Sequence, residues 1–102
     1  MKSTGVTPKM SHWIPCQYDG IEHIEKTFTF KKYSLGLAFC NAVAQLAETH
    51  IHHPRIVIEW GKVTIAWGTH QSDQGSGVFE KDRAMASHCD ALFHCVHSTM
   101  ET

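Results

Sequence analysis

Apolar and polar residues alternate with period two near the start of the chain. Two short runs between residues 13 and 30 are separated by Asp19-Gly20, a dipeptide typical of a two-residue hairpin turn. In the second run Phe28 and Phe30 lie on the same face, because successive side chains of a strand point to opposite sides. The pattern predicts a β-hairpin over residues 13–30.

A helical period replaces this alternation over residues 31–50. The apolar residues recur every three or four positions along one stripe; they are Leu35, Phe39, Ala42, Val43, Leu46 and Ala47. Ser34 is a candidate cap for the first turn, and a start at Lys32 or Tyr33 is the alternative. We expect the helix to end before Pro54, because a residue that precedes proline disfavours the α conformation.

The alternation of period two returns over residues 55–69. Val63, Ile65 and Trp67 share one face, and Gly61-Lys62 offers the tight turn of a second hairpin. A polar loop follows at residues 71–77, and a second amphipathic helix is predicted after it. The apolar positions of that helix are Val78, Met85, Cys89, Leu92, Phe93 and Val96.

The order hairpin, helix, hairpin, helix predicts an α+β fold. A four-stranded antiparallel sheet with two long helices packed on one face buries both apolar stripes at once. The opposite face of the sheet is then solvated or covered by another subunit. We expect a flexible N-terminal segment at residues 1–12 and a single domain at residues 13–102.

Composition narrows the classes of function. The 102 residues carry a net charge of -1 without a long basic run, which argues against direct binding of nucleic acid through a basic patch. No apolar stretch reaches the about eighteen residues of a membrane span, and no secretory signal is recognisable. A cytoplasmic location is therefore expected, with the nucleus as an alternative. The four cysteines are expected to be free and mostly buried.

Nine histidines are the unusual feature of the composition. His50, His52 and His53 crowd the end of the first predicted helix, and His70 ends the last predicted strand. We expect that strand end to converge with the His52–His53 pair at the helix-to-strand junction. Imidazole suits proton transfer, because its pKa of about 6.5 makes both protonation states accessible near neutral pH. Glu48 is expected to hold one imidazole in its tautomer.

Less specific interpretations remain open for the same residues. The His52–His53 pair also suits the C-terminal end of a helix, where the dipole is negative, and Asp82 suits the positive N-terminal end of the next helix. Glu48 has the position of a solvated helix residue. A zinc or nickel site is disfavoured, because neighbouring histidines do not easily reach one ion; its ligands would be His50, His52, His53 and His70. Trp60 and Trp67 are predicted to pack against the sheet rather than to contact a ligand. His88, His94 and His97 are predicted to be surface residues, and Cys89 and Cys95 to be core thiols.

Several of these residues form a pattern with fixed spacing. An acidic residue is followed by a His-His-Pro run, an aromatic residue, a Thr-His pair and a later aspartate; these are Glu48, His52, His53, Pro54, Trp60, Thr69, His70 and Asp82. The pattern resembles the signature of the pterin-4a-carbinolamine dehydratases. Trp13, the Phe28-Thr29-Phe30 strand and residues 42–48 extend the similarity, which covers about residues 13–96.

The resemblance implies the fold of that family, in which a helix precedes the first hairpin; here that helix is expected to be reduced or absent. It implies a hydro-lyase that dehydrates 4a-hydroxytetrahydrobiopterin to the quinonoid dihydropterin, recycling the pterin of aromatic amino-acid hydroxylases. The resemblance implies that no metal or organic cofactor is needed. It also implies that the protein forms a homodimer or homotetramer. The alternative function is a non-catalytic dimerisation or assembly cofactor that binds a protein partner on the same fold.

The resemblance also implies roles for individual residues. His52, His53 and His70 line the pterin pocket, with acid–base catalysis assigned chiefly to His53 and His70 and positioning to His52. The substrate-binding residues it implies are Glu48, Thr69 and Asp82.

Five departures from the family pattern affect the surroundings of these residues. Ile51 stands where many relatives carry Asp, and Arg55 and Ile56 stand where many carry an acidic residue and Trp. The loop between His70 and the aspartate is longer, and Phe79 replaces a common Ser or Thr helix cap. We expect these changes to affect substrate affinity and rate more than the fold.

Overall fold

A computed structural model of the chain describes residues 12–101, with residues 97–101 described by their backbone alone. The predicted flexible segment, apart from His12, lies outside the described residues, and so does the part of the chain in which the family's first helix is expected to be reduced or absent. The elements in chain order are β1 (Ile14–Tyr18), β2 (Ile21–Thr29), α1 (Tyr33–His50), β3 (Arg55–Glu59), β4 (Lys62–Trp67) and α2 (Glu80–Glu101).

The first hairpin forms as the sequence predicts. Tyr18 pairs with Ile21 across the two-residue turn. Asp19 and Gly20 have φ angles of 55° and 76°, and such left-handed values at both positions give the turn the twist of the flanking strands. Glycine and, less readily, aspartate adopt this conformation at low cost, which explains why this dipeptide lies here.

Helix α1 begins and ends by backbone geometry. Its N-cap is Lys32, whose side chain makes no capping hydrogen bond, so the prediction of Ser34 as the cap is wrong and the earlier start is confirmed. At the other end Ile51 adopts the left-handed conformation with φ 50°. The amides of Ile51 and His52 donate to the carbonyls of Glu48 and Ala47, which is a Schellman motif. The chain therefore turns sharply into Pro54 and β3.

The four strands form one antiparallel sheet in the order β1-β2-β4-β3. This confirms the predicted fold class, while the pairing of β2 with β4 joins the two hairpins through residues distant in sequence, such as Ile24 with Trp67. The second turn is displaced by one residue from its predicted place. Glu59 pairs with Lys62, so Trp60 and Gly61 form it.

Both helices pack on one face of the sheet. Residues of α1, α2 and the sheet form a single apolar core that includes Phe28, Phe39, Val63, Trp67 and Cys89. Trp60 is 75% exposed at its turn, so the prediction that it packs against the sheet is wrong for Trp60 and confirmed for Trp67. Neither described helix covers the opposite face, hereafter the open face.

The cysteines are less buried than predicted. All four are free, but only Cys89 is buried; Cys16 and Cys40 are half-buried and Cys95 is exposed. Cys95 is therefore not a core thiol, because it lies on the outer side of α2. No helix among the described residues is long and apolar enough to cross a membrane.

Candidate active site

The ring of His52 is hydrogen-bonded to the buried carboxylate of Asp82. Its Nε2 lies 2.6 Å from Asp82 Oδ1, and an ionised carboxylate only accepts, so Nε2–H donates. The other oxygen, Oδ2, accepts from Thr69 Oγ1 at 2.8 Å and from the Phe79 amide at 2.9 Å. Asp82 is thus fully buried with three donors around it, and these bonds fix the ring and the tautomer of His52.

The position of Asp82 follows from the start of α2. Glu80 is the first helical residue, so Phe79 is the N-cap and Asp82 occupies the third helical position. A carboxylate there reaches back to the amide of the N-cap, which is one half of a capping box. Asp82 thereby compensates for the missing Ser or Thr side chain at residue 79, and its second oxygen remains for His52.

The other face of His52 rests on the core. Its ring stacks on Trp67 with centroids 5.5 Å apart and planes 28° from parallel. Below it, Trp67 Nε1 donates to Cys89 Sγ at 3.3 Å. Burial raises the pKa of the Cys89 thiol to about 12, so this sulfur remains a neutral packing atom at physiological pH.

His53 is paired with a carboxylate in solvent. Its Nε2 lies 2.7 Å from Glu48 Oε2, and the two side chains are 57% and 74% exposed. Glu48 lies in the last turn of α1, and the Schellman motif brings the chain back so that His53 reaches it. With Nε2–H donating to Glu48, Nδ1 of His53 carries a lone pair and has no described partner.

His70 lies just beyond β4 rather than at its end. Thr69 and Gly77 exchange two backbone hydrogen bonds of 2.8 and 2.9 Å, and this bridge closes the intervening loop. His70 is exposed, and neither of its ring nitrogens makes a hydrogen bond to a described residue. Its described contact is the ring of His23, 5.7 Å away and nearly perpendicular.

His23 is a residue of the site that sequence reasoning missed. It is buried on the open face of β2, and its Nδ1 lies 2.8 Å from the carbonyl of Ile21, to which it donates. The ring fits because Gly68, the residue after β4, faces it; a Cβ atom at Gly68 would lie 2.7 Å from the ring. Only the register of β2 with β4 brings these residues together, so the sequence carried no local signal for His23.

The three predicted histidines line one open cleft of about 410 Å³, together with Thr69. The remaining lining residues are Ile51, Gly68, Gln71 and Lys81. A second cleft of about 370 Å³ adjoins it, and His53 and His70 line both. Each volume lies within the range of ligand sites, about 300–1,000 Å³. Glu48 and Asp82 line neither cleft, and each contacts one of the histidines that do.

A metal site has no ligand set in the described part of the chain. His50, one of its four predicted ligands, stacks on His88 of α2 with centroids 5.8 Å apart and does not line the cleft. Among the side chains of residues 12–96, no group of three or more His, Cys, Asp or Glu residues is arranged to hold an ion. The cleft therefore presents imidazoles for hydrogen bonding and proton transfer.

The departures from the family pattern have distinct surroundings. Ile51 is 82% exposed and left-handed, a conformation that Asp and Asn tolerate better than a β-branched residue. Ile56 packs against the core and lines neither cleft. Arg55 lies on the open face and lines the second cleft.

The sequence matches known proteins along most of its length. A family model described as Pterin 4 alpha carbinolamine dehydratase matches residues 3–92. A protein of Photobacterium profundum is 42% identical over 81 residues, which make up 79% of this chain and 70% of the relative. One of Vibrio cholerae is 39% identical over 84 residues, or 82% and 74%. Both relatives are named, provisionally, as pterin-4-alpha-carbinolamine dehydratases.

Two solved structures share the fold. A transcriptional coactivator/pterin dehydratase from Brucella melitensis superposes with a TM-score of 0.65 at 30% identity, covering 83% of this chain and 88% of that one. A pterin dehydratase-like protein identified as a RuBisCO assembly factor in the α-carboxysome gives 0.64 at 28% identity, covering 79% and 88%.

Proposed function

The chain belongs to the pterin-4-alpha-carbinolamine dehydratase family, and from this membership we propose that it is an active hydro-lyase, which converts a 4a-hydroxytetrahydropterin into the quinonoid dihydropterin. The observation that carries the proposal is the pair formed by His53 and His70. Both line one cleft, and both have ring nitrogens without a described partner. An assembly factor has no need of two such imidazoles.

The reaction requires one proton to leave the substrate and one to reach it. The base removes the proton of N5, and the electron pair of the N5–H bond forms the C4a=N5 double bond. The C4a–O bond breaks with its pair on oxygen, and the acid protonates the departing hydroxyl, which leaves as water. Imidazole serves in either role near neutral pH.

His53 is the proposed base. Its Nδ1 holds the lone pair because Nε2–H donates to Glu48. The imidazolium formed when His53 accepts a proton lies beside the Glu48 carboxylate, which stabilises the charge, as an aspartate does for histidine in hydrolytic triads. Solvent screens this pair, since both side chains are exposed.

His70 is the proposed acid. It has no carboxylate partner among the described residues, so nothing described competes with the substrate hydroxyl for its ring protons. His23 contacts its edge and limits the rotation of the ring. His52 is a positioning residue, because Asp82 and Trp67 fix its ring from behind and beside, and one edge remains to orient the flat substrate.

The proposed substrate is 4a-hydroxytetrahydrobiopterin, the product left by aromatic amino-acid hydroxylases, and the proposed assembly is a homodimer or homotetramer. The edge strands β1 and β3 each leave one side unpaired among the described residues, and such edges favour cover by another chain. The alternative, a protein-binding role, is supported by the assembly factor with a similar fold.

Stopped-flow kinetics of 4a-hydroxytetrahydropterin dehydration tests the proposal. We expect His53→Ala and His70→Ala each to lower the rate about a hundredfold, the usual size of a lost acid or base. His94→Ala is the matched control, because His94 is an exposed histidine outside both histidine-lined clefts. Wild-type protein that is folded but no faster than the uncatalysed reaction excludes the dehydratase and favours the protein-binding role.

Glu48→Gln separates the role of the carboxylate from that of the ring. The amide keeps an acceptor for Nε2–H but lacks the negative charge that stabilises the imidazolium, so we expect the rate to fall about tenfold, less than for loss of the base itself. An unchanged kcat in this variant assigns Glu48 to the solvated helix surface.

A further inference from the structure

The second cleft contains a cation with unused hydrogen-bond donors. Arg55 begins β3 and is exposed on the open face, where the carbon of its guanidinium lies 4.2 Å from the centroid of the Tyr18 ring. A guanidinium stacked in this way uses its face, while its five N–H donors lie in its plane and remain available. The guanidinium of Arg55 makes no ion pair or hydrogen bond with any described residue.

The register of the sheet explains how Arg55 and Tyr18 meet. Arg55 pairs with Ala66 of β4, which in turn pairs with Glu25 of β2, so the three residues form one row across the open face. The methyl group of Ala66 leaves space above the sheet, and the side chain of Arg55 crosses it to reach Tyr18.

Tyr18 is itself fixed in place. Its hydroxyl donates to Glu25 Oε1, and this hydrogen bond, followed by partial desolvation, raises the pKa of Tyr18 above its usual value. The ring is therefore a neutral platform at physiological pH. The hydrogen bond to Glu25 fixes the Tyr18 ring, and the ring in turn orients the guanidinium of Arg55. This orientation exists before a ligand binds, which lowers the entropic cost of binding.

The cleft that Arg55 lines adjoins the proposed catalytic cleft. His53 and His70 line both, and Pro54 joins His53 directly to Arg55. A substituent of a bicyclic ring in the first cleft that extends past His53 and His70 therefore reaches the second cleft. The charged residues that line the second cleft, apart from histidine, are Arg55 and Asp19.

We propose that Arg55 forms a subsite for a phosphate monoester on the side chain of the pterin, so that the preferred substrates of this protein are phosphorylated pterins. The inference rests on the proposed function and names its substrate class. A planar fork of N–H donors matches the oxygens of a phosphate, and such charge-assisted hydrogen bonds are stronger than neutral ones. Asp19 opposes the anion in part, so the expected preference is about tenfold rather than larger.

Binding of two stable pterins tests the subsite. Neopterin and neopterin monophosphate share the ring and the side chain and differ in the phosphate, and quenching of pterin fluorescence reports both dissociation constants. We expect wild-type protein to bind the monophosphate about tenfold more tightly. Arg55→Gln should remove this preference and leave the affinity for neopterin within about twofold, because the neutral ring and side chain keep their contacts.

Arg83→Gln is the matched control, because Arg83 is an exposed arginine of α2 that contacts Glu80 and lies outside both clefts. It should preserve the preference. Equal affinity of the wild type for both pterins overturns the subsite and leaves the dehydratase standing. A preference that survives in Arg55→Gln also overturns it, since another cation then holds the phosphate. Binding of neither pterin overturns both the subsite and the proposed function.

Discussion

Two carboxylate–imidazole pairs of nearly equal length support the proposed active site, and they differ in almost everything else. His52 and Asp82 are 2.6 Å apart, and His53 and Glu48 are 2.7 Å apart. The Asp82 carboxylate is fully buried and accepts from three donors, while the Glu48 carboxylate is mostly exposed and accepts from His53 and no other described residue. The distances alone would therefore predict the same strength for the two pairs.

The difference shows that burial decides what each pair does. Removing one member of a buried pair leaves the other polar groups without water, so their desolvation is not compensated. An exposed pair is screened, and water replaces a missing partner at little cost. In the proposed mechanism the His52–Asp82 pair therefore serves stability and orientation and the His53–Glu48 pair serves proton transfer. Three predictions follow in order of decreasing effect.

Asp82→Ala should cause the largest loss of stability. It leaves the Thr69 hydroxyl, the Phe79 amide and His52 without their common acceptor, and we expect the free energy of unfolding to fall by about 3–5 kcal/mol. Urea denaturation followed by circular dichroism measures it. Glu48→Ala is the matched variant and should change the same quantity by less than about 1 kcal/mol. Equal losses in the two variants would contradict the comparison.

The buried thiol below His52 should make stability fall at high pH. The pKa of Cys89 is raised to about 12 in the folded protein, above the about 8.5–9 of an unfolded thiol. Between these two pKa values the thiol keeps its proton in the folded protein and loses it in the unfolded chain. The contribution of Cys89 to the free energy of unfolding is therefore complete below about pH 8.5 and is lost as the pH rises toward 12. At pH 10 we expect a loss of about 1.4 kcal/mol or slightly more.

Urea denaturation at pH 8 and pH 10 checks this sign and size. Cys89→Ala should show a smaller decline between the two conditions, since the group that titrates is gone. Cys95→Ala is the control, because Cys95 is exposed and should leave the decline unchanged. A decline in Cys89→Ala as steep as that of the wild type would assign the pH dependence to other groups.

Substitution of Ile51, the left-handed residue next to His52 and His53, should have the smallest effect on stability, and the effect should be stabilising. Ile51 has φ 50° and is largely exposed, so its strain is not offset by burial. We expect Ile51→Asn to raise the free energy of unfolding by about 1 kcal/mol, since Asn tolerates this conformation. Ile51→Val keeps a β-branched side chain and should give no gain. Thermal denaturation distinguishes the two, and equal melting temperatures would remove strain as the explanation.

Much of the fold was predictable because its signals are local. The Asp19-Gly20 dipeptide specifies its own turn, and the apolar stripe of α1 reflects contacts within a few residues. Boundaries were less certain. Ser34 does not cap α1, because the extended residue Lys32 is the N-cap and the helix begins at Tyr33. The second turn lies one residue earlier than predicted, because Glu59 pairs with Lys62.

The site was predictable only in outline. The spacing of its motif singled out His52, His53 and His70, and the structure brings all three to one cleft. Nothing local revealed that His23 stands beside His70, or that Arg55 reaches Tyr18, because these contacts depend on how strands distant in sequence align. Likewise, the sequence offered several roles for Asp82, and packing selected the buried one.

The sequence by itself determined the elements, the fold class and the residues able to transfer protons, since periodicity, turn dipeptides and side-chain chemistry are properties of short segments. Tertiary structure alone decided the strand order β1-β2-β4-β3, the burial of Asp82 against the exposure of Glu48, and the second cleft around Arg55. The physical reason is that burial and register are set by contacts across the whole sheet, where one residue of slip reverses which face a side chain occupies.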